Sequence, residues 1–248
     1  MASVPLLLMN DDVEGGKEIS EDSIQNDFAY RNNVHNADIR IRMAFLRKVY
    51  GLISIQLLMT VMVSAVFMMS SPVKLFVQQN PWMMGMSFIL TMGVLIALHF
   101  KRKEHPTNLI LLSIFTIIQS YTIGTIVTLY DTRIVIEALF ITLVIVIGLT
   151  AYAFQSKKDF SFMGFGLFAG LMALLIGGIM QIFIQSAVLE ILISICGALL
   201  FALFIIYDTY MMMQILSPEE YILAAINIYL DIINLFLHIL RALAATRQ

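Results

Sequence analysis

The chain reads as an all-α membrane protein, a seven-helix transmembrane bundle, on three observations. Hydrophobic residues make up 60% of its 248 residues and charged residues only 13%, with a mean hydropathy of +0.88, whereas soluble domains carry about a quarter charged residues. Seven apolar stretches, approximately 49–69, 82–100, 107–129, 134–154, 161–184, 188–213 and 221–243, are each near the ~20 residues that a helix needs to cross the hydrocarbon layer. Prolines and clusters of Lys and Arg fall between the stretches. A lipid-exposed backbone must satisfy its own hydrogen bonds, and no alternating ten-residue pattern suggests a barrel, so the spans are helices.

Residues 1–38 carry eight acidic residues between Asp11 and Asp38 and few large apolar ones, which predicts a disordered acidic cytosolic tail. The opening MASVPLLLMNDD lacks a basic n-region and a long apolar core, so no cleaved leader is expected. The transmembrane domain then occupies 39–243. Pro72 and Pro81 bracket its first connection, Pro106 opens the third helix, and Gly166 with Gly170 gives the fifth a small-residue packing face. Ser217-Pro218-Glu219-Glu220 supplies the seventh helix with an N-cap, an early proline and acids facing its dipole. Residues 244–248 form a short C-terminal tail.

Lys and Arg in the short flanks set the expected orientation. Arg40, Arg42, Arg47 and Lys48 precede the first stretch, Lys101, Arg102 and Lys103 follow the second, and Lys157 and Lys158 follow the fourth; the alternate flanks hold Lys74 and Arg133. The N-terminus is therefore expected in the cytosol. The seventh segment leaves two arrangements open: seven full spans, or a re-entrant last segment that returns the tail, with Arg247, to the cytosol.

Asp208 and Asp231 lie inside the last two stretches. A carboxylate at membrane depth costs a few kcal/mol or more, and usually marks an ion path, a proton relay or catalysis. The midpoint between them falls at Glu219 and Glu220, in the connecting turn, so an antiparallel hairpin with equal rise per residue puts both acids at the same depth. Two carboxylates in contact cannot both ionise freely and titrate as a unit that shares a proton. Such a pair can sense pH, and can take Ca²⁺, a hard ion that binds carboxylate, amide and carbonyl oxygens.

Asn227, Asp231, Asn234 and His238 recur at i, i+4, i+7 and i+11, one face of the last helix, extended by Glu220 and Arg241. That stripe should face the bundle interior and hold water or a cation, or bond neighbouring helices. Glu190 and Glu137 sit near helix ends opposite the basic flanks as a candidate acidic vestibule, and Lys101 or Arg102 could reach inward to Asp208.

Several classes are disfavoured. The basic residues collect at helix ends, so nucleic acid is not an expected partner, and the lone Cys196 allows neither an intrachain disulfide nor a Cys-based metal site. Paired aspartates on adjacent spans also serve intramembrane aspartyl proteases, and Tyr207-Asp208 is similar to their first motif; their second aspartate follows Gly-x-Gly, where this chain has Ile228-Tyr229-Leu230. No enzyme activity and no cofactor beyond Ca²⁺ as an ion are expected.

The segments IRMAFLRKVYGLISIQLL, QSKKDFSFMGFGLF, GALLFALFIIYDTY and LSPEEYILAAINIYLDIINLFLHILR closely resemble the transmembrane Bax-inhibitor-motif (Lifeguard) family, and within it the Golgi anti-apoptotic branch. The resemblance runs from Ser23 to about Leu243. It implies a seven-helix bundle in Golgi or ER membranes that leaks Ca²⁺ from the store and so dampens apoptotic signalling. It further implies that Asp208 and Asp231 form the pH-sensitive pair and that Glu219 and Glu190 match acids tied to conduction or selectivity. The basic residue that latches the closed state falls on Lys101, next to Arg102. The expected partners are membrane lipids, Ca²⁺ and protons, with apoptosis-related membrane proteins or self-association as further candidates. The competing reading is a non-conducting membrane protein that restrains apoptosis by binding partners.

Overall fold

A computed structural model describes residue 34 and residues 39–156 and 158–247. The expected tail therefore lies outside the described residues except at Val34, and so does Lys157. Val34 departs from the expectation of a disordered segment: it is fully buried, and its N–H donates to Leu216 O at 3.0 Å.

Among the described residues eight α-helices follow: α1 (Ile39–Met69), α2 (Ser71–Gln79), α3 (Trp82–Lys101), α4 (Thr107–Val127), α5 (Thr132–Gln155), α6 (Met163–Ile184), α7 (Ala187–Gln214) and, after a 3₁₀ turn at Pro218–Glu220, α8 (Tyr221–Ala245). All except α2 are long and apolar enough to span a bilayer, which makes seven candidate spans. Two boundaries differ instructively. α1 begins ten residues before the apolar stretch does, so Arg40, Arg42, Arg47 and Lys48 are helical; hydropathy reports the hydrocarbon layer, whereas helical hydrogen bonding continues through the interface. The first connection contains α2, with Pro72 in its first turn, where its missing N–H costs nothing.

Caps fix the helix starts. Asp131 accepts from Arg133 N–H at the start of α5, and Ser186 caps α7. Ser217 and Glu220 form a reciprocal capping box at the 3₁₀ turn, as the Ser-Pro-Glu-Glu sequence predicts. α6 ends at Gln185 in the left-handed conformation, φ 50°.

α8 is the hub. It packs on α7, α5, α1 and α4, and about two thirds of its most apolar window is buried, against 6% for α6. Ile222, Ala225, Tyr229, Leu235 and Leu240 are among its fully enclosed residues. α6 is peripheral and leans on α7. Gly170, where an added Cβ would strike Leu200, and Gly164, where it would strike the Tyr207 hydroxyl, provide the close approach. Gly166 has open space around it, so the expected Gly166–Gly170 face is corrected to Gly164, Leu167 and Gly170, which lie on the side of α6 that meets α7.

α8 is one uninterrupted helix, and the two ends of the bundle settle its path. Arg102, at the end of α3, pairs with Glu220 at the start of α8, whereas Arg247, beyond the end of α8, pairs with Glu137 near the start of α5. A helix of 25 residues, about 37 Å long, thus carries the tail to the opposite end of the bundle, which fits seven full spans and not a segment that returns. The described part of the tail also shortens, since α8 continues to Ala245. A reporter cysteine at Thr246, in a Cys196→Ala background, should label only from the side opposite to one at Lys103. Labelling of both from one side in sealed vesicles would refute this path.

Candidate functional site

The Ser217 turn folds α7 and α8 into an antiparallel hairpin, and its register brings Asp208 and Asp231 within hydrogen-bonding reach of each other. Asp231 is 6% exposed and Asp208 is half-buried. Asp231 Oδ2 is enclosed without a donor from any other described group. A carboxyl that carries a proton could donate it to the other, which two bare carboxylates could not do.

The basic residues close the same end of the bundle, on other partners than expected. Lys101 Nζ bonds Glu104 at 2.7 Å, Arg102 Nη2 lies 3.1 Å from Glu220 Oε1, and Lys103 Nζ lies 4.0 Å from Glu219 Oε2. A latch from Lys101 or Arg102 onto Asp208 is thus replaced by one from Arg102 onto Glu220. The reason is depth: Asp208 is about 9 Å inside the end of α7, whereas the 3₁₀ turn presents its glutamates at the mouth, where α3 ends. Around this pair Asn108 Nδ2 donates to Tyr221 OH and to Arg102 O, both at 3.0 Å, and Lys48 Nζ sits 3.3 Å from the centre of the Tyr221 ring, a cation–π contact. α1, α3, α4 and α8 are tied together at the first turn of α8.

The polar stripe of α8 divides on inspection. Asn234 Nδ2 donates to Leu230 O of its own helix at 2.8 Å, and Asn227 is half-buried. His238 stacks on Phe201 of α7, centroids 5.6 Å apart at 24°, against Gly197, where an added Cβ would strike the ring. Glu190 is half-buried in the first turn of α7, whereas Glu219 is an exposed partner of Lys103 at the other end. The two are not brought together. Glu137 is held by Arg133 and Arg247, so it joins no open acidic vestibule with Glu190.

Three features escaped the sequence reading. Tyr221 and Asn108 carry no motif. Gln56 donates to Thr116 at 3.1 Å, and Thr60 meets Ser120 at 3.2 Å and Tyr229 OH at 2.8 Å, a buried hydroxyl row joining α1, α4 and α8; its signal, polar residues four apart on both α1 and α4, is legible in retrospect. Tyr210 OH donates to Asp159 at 2.7 Å, and this bond with the Ser161 N–H holds the exposed Asp159 carboxyl below its ordinary range, the backbone bond contributing most. Among the described residues no group of three or more His, Cys, Asp or Glu could hold a metal ion; a Ca²⁺ at the acid pair would take two carboxylates from the protein and complete its six to eight oxygens with water, amides or carbonyls.

Seven apolar spans arranged around a central helix, with an acid pair buried between that helix and its neighbour, define a polytopic α-helical membrane protein. The sequence model described as inhibitor of apoptosis-promoting Bax1 matches residues 42–248, and the chain belongs to this Bax inhibitor (Lifeguard) family. It is 45% identical to mouse protein lifeguard 4 over 226 residues, covering 91% of this chain and 95% of that one. It is equally similar, at 45% over the same shares, to the Golgi anti-apoptotic protein of Vaccinia virus strain Lister. Bax inhibitor 1 of Schizosaccharomyces pombe is 39% identical over 82% of this chain and 77% of its own length.

Removing Arg102 should leave Glu220 half-buried and unpaired and loosen the capping box. Arg102→Ala is expected to cost about 1–2 kcal/mol, between exposed and buried ion pairs, with Arg102→Lys intermediate because an ammonium lacks the guanidinium fork. Thermal unfolding in detergent measures this, and an unchanged midpoint for Arg102→Ala contradicts it.

Proposed function

We propose that the chain is a pH-gated cation leak of Golgi or ER membranes that lowers stored Ca²⁺ and thereby restrains apoptosis. The observation that carries this reading is the acid pair: Asp208 and Asp231 are in mutual reach at membrane depth, with one buried oxygen lacking any other donor. The names of the relatives, an anti-apoptotic Golgi protein and a Bax inhibitor, supply the compartment and the cellular outcome.

With one proton in the pair, the carboxyls hold α7 and α8 together, while Arg102–Glu220 and the Lys48–Tyr221–Asn108 contacts close the cytosolic end. As pH rises the shared proton leaves. Two charges about 4 Å apart then repel by about 4 kcal/mol at an effective dielectric of ~20, enough to shift a closed–open equilibrium by about three decades. The same two charges attract a hydrated cation, and Ca²⁺ competes with protons for them. The sign is therefore more flux at higher pH. No catalysis and no bound cofactor enter; lipids, protons and Ca²⁺ are the partners, and the N-terminus faces the cytosol.

Purified chain in proteoliposomes with a Ca²⁺ dye inside tests this directly. Wild type should pass more Ca²⁺ as pH rises, and Asp208→Asn with Asp231→Asn should lose the pH dependence and change the flux by at least tenfold, the effect of about 1.4 kcal/mol on a gating equilibrium. Flux and pH profile unchanged in the double variant would reject the mechanism. Protection of cells without any flux from purified protein would favour a partner-binding protein instead.

A further inference from the structure

The seam between α7 and α8 leaves polar atoms without partners at two levels. At the acid pair, Asp231 Oδ2 is buried and unpartnered. Farther along, toward the Arg247 end, so are His238 Nδ1 and Ser194 Oγ. Ser194 has no exposed surface at all. Asp231 and His238 are two turns apart and share one face of α8, about 10 Å along its axis. On α7, Glu190, Ser194 and Gly197 follow one another at helical spacing along the face that receives the His238 ring.

On another side of α8 the chain pairs its buried hydroxyls, Thr60 with Ser120 and Tyr229. Other buried polar atoms, among them Ser64 Oγ and Thr91 Oγ1, also lack partners; on α7 and α8, Ser194 Oγ, His238 Nδ1 and Asp231 Oδ2 follow one another along one helix pair, from the half-buried Glu190 toward the acids. Unpartnered polar atoms in a dry interior are destabilising unless something polar visits them.

We propose that His238 and Ser194 form an uncharged proton station that loads the Asp208–Asp231 pair from the Glu190 end of the bundle. The proposal rests on the reading of that pair as a proton-sharing gate. A neutral imidazole has one bare nitrogen and one N–H. It accepts a proton from water at the Glu190 side on the bare nitrogen and releases the other toward the acids, so one proton crosses and the ring ends neutral in its opposite tautomer. The Ser194 hydroxyl, which both donates and accepts, bridges the incoming water. The flat stack on Phe201 and the Gly197 notch hold the ring in register. The charged groups toward this level are Arg241 on α8, Glu190 on α7, and Glu137 on α5, which Arg133 and Arg247 occupy; below lie Asp208 and Asp231.

The test is the full chain in proteoliposomes with a Ca²⁺ dye inside, its orientation fixed by the Thr246 cysteine label, and a rapid pH jump imposed on either face. A jump on the Glu190 face should change wild-type flux faster than one on the Arg102 face. His238→Phe keeps the aromatic stack and removes both nitrogens; it should reach the same final flux with a response slowed on the order of a hundredfold, the usual contribution of a positioned proton carrier. Ser194→Ala should slow it severalfold, and keeps the test open if the His238→Phe chain fails to fold. A pH-sensitive wild type together with unslowed variants overturns the station alone. A wild-type flux indifferent to pH overturns the gate reading and the station with it.

Discussion

A carboxyl group inside a hydrocarbon layer must find a partner, and the architecture of this chain follows from that constraint. Asp231 lies on the most enclosed helix of the bundle, and the group that satisfies it is another acid, one helix away. Two carboxylates this close cannot both ionise freely. The hairpin turn that sets their register, the capping box that fixes where α8 starts, and the four helices wrapped around α8 all keep these two like groups within reach of each other. Moving either acid by a single position would turn it some 100° around its helix and leave a buried carboxyl alone.

The ends of the bundle are closed by different means. At the Arg102 end a half-buried ion pair, an amide and a cation–π contact converge on the first turn of α8. At the other end Arg247 ties the last residues of the chain to α5. α8 is thus fixed at both tips while the seam that holds its acid is lined with polar atoms still open to new bonds.

Most of the frame was readable from residue order. Hydropathy located seven candidate spans because the bilayer imposes one length on all of them. The Ser217 signature located the start of α8 because a cap is a local motif. Equal spacing from the turn placed Asp208 beside Asp231 because an antiparallel helical pair has a fixed rise. What could not be read depended on rotation and reach. The partner of Arg102 is decided by how far the α3 terminus stands from Asp208 and how near it stands to Glu220. Whether Gly166 or Gly164 meets α7 is decided by the azimuth of α6. Gln56, Thr60, Thr116 and Ser120 are individually unremarkable residues in apolar helices, and their row exists only once α1 and α4 are aligned. α2 hid inside a connection because nine residues, with a proline in the first turn, give too short a window for periodicity.

The hydroxyl row has a mechanical consequence. Thr60, Ser120 and Tyr229 join α1, α4 and α8 through neutral bonds, which neither acidity nor ionic strength weakens over the range where carboxylates titrate. On its α7 side α8 makes its most extensive packing, and the carboxyl pair lies within it. A change of charge at the acids therefore leaves α1, α4 and α8 tied to one another through bonds that carry no charge.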